Sequence, residues 1–141
     1  MKIPNPEKEL NFKFSKKPLL FGGGAIEYYG LRKRGKDVGF IISNKDYESL
    51  LKLYPKNKKI FEGDSGIVIG YFEFWKSFCH FDYNYLTKES TEEKNFLVIS
   101  LEKQLLLKSI GVLLFARKSS RKVIKKYTRD VILIHKKLED S

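Results

Sequence analysis

The stretch from Leu19 to Ser43, LLFGGGAIEYYGLRKRGKDVGFIIS, limits what this chain can fold into more than any other. Leu19, Leu20 and Phe21 supply a short apolar run of strand character. Gly22, Gly23 and Gly24 then let the backbone come close to something that a Cβ would push away. Ala25 to Tyr29 has helix character, and Gly30 can close that helix. The basic loop Arg32-Lys33-Arg34-Gly35-Lys36 leads into a second buried strand, Asp37 to Ile42. Alternation along it puts Asp37 and Gly39 on one face and Val38 and Phe40 on the other.

Before this stretch, Asn5 reads as an N-cap with Pro6 at the first helical position, and Phe12 and Phe14 then alternate with polar residues in an arm that packs across the sheet. After it, Ser43 or Asn44 caps a helix from about Lys45 to Tyr54, stopped by Pro55, with Lys56 to Lys59 as a solvated loop. Ile60-Phe61 begins a short extended piece, and Gly63-Asp64-Ser65-Gly66 is a turn by composition. From Ile67 to Leu86 the chain is β-rich. IVIGYFEFW, a break at Lys76-Ser77 and FCHFDYNYL read as a hairpin or two adjacent strands, with Asp82 inside the second. Lys88 to Lys94 is a charged loop, and Asn95 to Ile99 a further strand. Ser100 caps the helix Leu101 to Ala116. A last helix, from about Ser120 to Leu138, places Ile124, Tyr127, Val131, Ile134 and Leu138 on one apolar stripe. Lys126 and Asp130, one turn apart on it, read as a helix ion pair worth a few tenths of a kcal/mol.

Charge narrows the class of partner. With 28 Lys and Arg against 17 Asp and Glu, the 141 residues carry a net charge of +11, which attracts polyanions: nucleic acid or an acidic protein. Arg117, Lys118, Arg121, Lys122, Lys125 and Arg129 form a dense cationic end, a ridge able to follow a phosphate backbone. A lone cysteine, Cys79, excludes an internal disulfide and suggests a reducing compartment. His80 and His135 have no metal-ligand spacing with Cys79, so a zinc site is not expected. Neither a secretory signal nor a membrane span is visible, and a cytoplasmic protein is expected.

Strand, Gly-Gly, helix, Gly, short basic loop and aspartate-bearing strand resemble, in order and spacing, the minimal nucleotidyltransferases of the DNA polymerase β-like superfamily, especially the abortive-infection and toxin type. Gly22-Gly23, Ala25, Gly30 and Asp37 match that signature, and Ser100-Leu101-Glu102 matches the way relatives open a leucine-rich helix. The second aspartate of the Asp-x-Asp motif is Gly39. The resemblance implies Mg2+ or Mn2+ as cofactor, held by Asp37 and Asp82, with Glu73 as the competitor for the third carboxylate. It implies that Gly22 and Gly23 cradle a nucleoside triphosphate while Lys33 or Arg34 neutralises phosphate charge.

The expected fold is α/β, α+β in detail: one domain over residues 1–141, a small mixed sheet (core 17–100) with helices on one side, closed by two helices in 101–141. Two functions stay open. One is transfer of a nucleotide from a nucleoside triphosphate to a hydroxyl acceptor, such as tRNA. The other is a pseudo-enzyme that binds nucleotide, RNA or an acidic antitoxin-like partner, which Gly39 favours. A third, structural reading makes Tyr71 to Tyr85 an oligomer interface.

Overall fold

A computed structural model describes residues 2–118 and 120–141. Two compact units, Met1–Ile99 and Ser100–Ser141, are described in turn.

The first unit is built on a mixed sheet whose centre is the opening stretch. Strand β1 (Leu19–Phe21) runs antiparallel to β2 (Val38–Ile41), with Leu20 opposite Phe40 and Phe21 opposite Gly39. Beyond β2 the sheet continues through β5 (Phe72–Trp75), β4 (Asp64–Ile69) and the edge strand β3 (Lys58–Phe61). Beyond β1 it continues through β9 (Leu97–Val98) and β8 (Thr91–Glu92). The β1–β9 and β2–β5 pairs are parallel and the others antiparallel. Leu19, Leu20, Phe40, Ile41, Ile67 and Phe74 are fully buried, which makes the central strands near-continuous apolar runs.

Local chemistry sets the helices. Asn5 accepts from Glu7 N to start α1 (Pro6–Leu10), as the sequence predicts. Helix α2 (Gly22–Tyr28) begins at once after β1, so the three glycines form its first turn rather than a loop before it. Gly22 carries a φ of 65°, and a Cβ on Gly24 would lie 2.7 Å from Leu20 Cδ1. Gly30, at φ 75°, closes the helix: its N–H donates to Glu27 O and that of Leu31 to Ile26 O, the paired bonds of a Schellman motif. Ser43 caps α3 (Asn44–Leu53) by accepting from Asp46 N. The buried Asp46 carboxylate in turn accepts from Ser15 N (2.9 Å) and Lys16 N (3.2 Å), tying the N-terminal arm down.

Four sequence readings are corrected between Pro55 and Leu86. A 3-10 turn (Pro55–Asn57) and the start of β3 replace the loop expected at Lys56 to Lys59. The turn expected at Gly63 to Gly66 is centred on Glu62 and Gly63, at φ 50° and 84°, while Asp64 is buried in β4. IVIGYFEFW is two arms of a hairpin that turns at Gly70 and Tyr71. FCHFDYNYL is not one strand but β6 (Ser77–Phe78), a turn, β7 (Phe81–Asp82) and α4 (Tyr83–Leu86). Cys79 and His80 make that turn at φ 51° and 65°, strained backbone for residues with a Cβ. The Asp64 carboxylate stabilises it, accepting from Ser77 Oγ (2.7 Å) and His80 N (3.1 Å). β8 also interrupts the expected charged loop.

In the second unit, Ser100 caps α5 (Leu101–Arg117) by accepting from Lys103 N, and α6 (Arg121–Glu139) packs beside α5. The predicted stripe on α6 is buried or half-buried throughout. A Cβ on Gly111 would lie 2.2 Å from the Tyr127 ring, so only glycine leaves room for it. Asp130 pairs with Lys108 on α5 at 3.1 Å, not with Lys126, because it faces the helix seam and Lys126 faces solvent. Lys108 Nζ also sits 4.3 Å from the centre of the Tyr127 ring. Among the described residues no helix is long and apolar enough to cross a membrane.

Candidate functional site

The row of residues that crosses the sheet at Gly39 decides what the opening stretch can do. Register places Phe21 beside Gly39 on one side and Glu73 on the other, so all three share a face. Glu73 is half-buried and accepts from Trp75 Nε1 at 3.2 Å. The Phe21 ring covers Gly39: a Cβ there would lie 3.0 Å from Phe21 Cε1. Phe21 is itself 6% exposed and packs on Phe78, with ring centres 4.9 Å apart; Phe78 in turn contacts Trp75 and stacks on Phe61. Space above the missing-ligand position is therefore filled with aromatic side chains.

The two carboxylates expected to share a metal stand apart. Asp37 is exposed just before β2. Asp82 ends β7 in the separate two-stranded sheet and accepts from Tyr85 N to cap α4. It lines a cleft of about 340 Å³ with Ser15, Lys16, Ser43, Asn44 and Lys45, beyond the far end of β2 from Asp37. Five or six residues of extended chain separate those ends, about 17–20 Å. Among the described residues, no group of three or more His, Cys, Asp or Glu side chains is gathered to hold a metal ion. Asp37, Gly39 and Asp82 do not fit a divalent cation in this arrangement.

The basic loop does meet the glycines. A Cβ on Gly23 would touch Arg34 Cβ at 3.6 Å and the Gly35 backbone at 3.8 Å. Arg34 is committed to Glu27, which accepts from its backbone N (3.0 Å) and from its guanidinium (2.5 Å). The Arg34 N–H foremost, with the guanidinium adding to it and burial opposing, holds the Glu27 carboxyl below the usual carboxylate range. Lys33 is exposed beside an open groove of about 630 Å³ that Lys2, Glu27, Gly30, Arg32 and Arg34 also line. Gly23 thus lies against the basic loop, whereas Gly22 is half-buried with open space where a Cβ would stand.

Compared with protein-family models, curated proteins and solved structures, the chain has no significant match. Its chemistry has to be read from its own residues. Burial, with the nearby Asp64 charge, pushes the Cys79 thiol up to about 11, which disfavours the thiolate. Tyr83 is pushed to about 12, mainly by burial, and donates to Lys17 O.

On the second unit the ridge residues are brought together. Arg121, Lys122, Lys125 and Arg129 are exposed on α6, and Arg117 and Lys118 are exposed at the end of α5. Lys126, Lys136 and Lys137, outside the predicted ridge, are exposed on α6 as well. The one acidic residue between Arg121 and Lys137, Asp130, is fully buried against Lys108. Reading Lys126 as half of an ion pair hid its place on the cationic surface, and the stripe spacing was the signal that Asp130 points inward.

Proposed function

We propose that this chain is a nucleotidyltransferase-like scaffold without an assembled metal site, and that it binds RNA through the outer face of α6. The observation that carries this reading is the exposed run Arg121, Lys122, Lys125, Lys126 and Arg129, beside which Asp130 is turned inward and paired with Lys108, while Glu139 lies at the other end of the helix. Arg121, Lys125 and Arg129 rise about 6 Å apart along one side of the helix, a row of charges that can follow a phosphate backbone. The Phe21 ring over Gly39 supports binding without catalysis. RNA, rather than DNA, comes from the resemblance to toxin-type transferases.

Anisotropy titrations with tRNA and a single-stranded RNA at several salt concentrations test the reading. Five phosphate contacts on a single strand give a log–log salt slope of about −3.5. A Lys122→Glu, Lys125→Glu, Arg129→Glu variant is expected to bind at least about tenfold more weakly. Binding that ignores both salt and the triple variant would sink the proposal. One observation favours the transferase reading instead: Glu73 lies beside Gly39 on the adjacent strand. Label transfer from a nucleoside triphosphate with Mg2+ or Mn2+, lost on Asp37→Asn, would put that reading first.

A further inference from the structure

Helix α5 buries polar side chains alongside Leu107 and leaves apolar ones on its outer side. Lys103, Gln104 and Lys108 are buried, whereas Leu113 is 71% exposed and Leu106 and Ile110 are half-buried. Glu102, Leu106, Ser109, Ile110, Leu113 and Arg117 fall within a strip about 100° wide at 3.6 residues per turn. Its ends are charged, with opposite signs: Glu102 and Arg117 are both exposed.

The strip is symmetric about the point between Ser109 and Ile110. Glu102 and Arg117 lie equally far from it, as do Leu106 and Leu113. A second α5 laid antiparallel across the first therefore sets Leu106 against Leu113 twice and Glu102 against Arg117 twice. That is the self-complementarity a two-fold interface requires. The small Ser109 at the centre lets the helix axes approach. A uniformly acidic partner helix would set a carboxylate against Glu102, so the charge pattern selects another copy of this chain over such a partner.

We propose that the outer face of α5 docks a second copy of this chain, antiparallel, about a two-fold axis between Ser109 and Ile110. The cations of the RNA-binding run, Arg121 to Arg129, are on the other helix; Arg117 alone belongs both to the ridge and to this strip, and Leu113 to neither the run nor the ridge, so Leu113→Lys separates the two readings. In the aromatic segment Tyr71 to Tyr85, Phe72, Phe74, Trp75 and Tyr83 are buried in the core, while Tyr71 and Tyr85 are exposed.

Sedimentation velocity of the nuclease-treated full chain, from about 1 to 200 μM in about 0.15 M salt, tests the pairing. A concentration-dependent dimer is expected. Leu113→Lys, at a position already exposed, should leave a monomer with unchanged circular dichroism. Glu102→Arg or Arg117→Glu alone should weaken the dimer about tenfold or more, and the two together should restore it to within about threefold. If Leu113→Lys loses helix signal, the charge reversals decide. A monomer at every concentration overturns the proposal and leaves the face to another kind of partner. So does a dimer that disappears only on nuclease treatment, one indifferent to Leu113→Lys, or one the double reversal fails to restore.

Discussion

Glu27 does at one residue what a longer loop would do with many. It holds Arg34 by backbone and side chain and so fixes the basic loop over the first turn of α2. Glu27→Gln is expected to lower stability by about 1.5–3 kcal/mol at neutral pH, the usual worth of hydrogen bonds to a charged group. Because the folded Glu27 pKa is depressed, its contribution is fully present above the ordinary value of 4.5 and is lost as pH falls through the folded value. Urea unfolding at pH 7 and pH 3 should show a gap between wild type and Glu27→Gln that closes at the lower pH. A gap that widens on acidification would contradict this. Phe21 makes the second test at this scale. Gly39→Asp has to displace its ring, so the substitution should destabilise the chain. Gly39→Asp added to Phe21→Ala should cost less than Gly39→Asp alone, measured as the difference in denaturation midpoint.

Elements form where short-range spacing is unambiguous. Asn5-Pro6, Ser43 and Ser100 each start the helix the sequence predicts, because a cap needs only its own next three residues. Strands between Glu62 and Leu86 are less legible. Turn-forming residues occur inside β4 as well as between strands, and Asp64 and Asp82 are used for contacts made only after folding. The helix pair gives a prediction with a change of sign. Gly111→Ala gains helix propensity of about 1 kcal/mol but meets the Tyr127 ring, and should be net destabilising by about 1–3 kcal/mol. In a Tyr127→Ala background the same substitution should stabilise. Thermal melts of the four chains decide, and a destabilising Gly111→Ala in both backgrounds would rule out the ring as the cause.

For the whole molecule, charge is the property readable without a structure: +11 predicts a polyanion partner whatever the fold. The expected salt slope and its loss in the triple variant belong to this scale. Sequence alone determined the α+β class, the apolar stripe of α6, the closing of α2 at Gly30 and the excess of cations. All four rest on residue type and on spacings within a turn or two of helix or strand. Tertiary structure alone decided that Phe21 covers Gly39, that Glu73 rather than Asp82 stands beside it, and that Asp130 is matched by Lys108 instead of Lys126. Those outcomes depend on strand register and on which helix faces meet. Residues far apart in the chain settle both, through packing that no local spacing encodes.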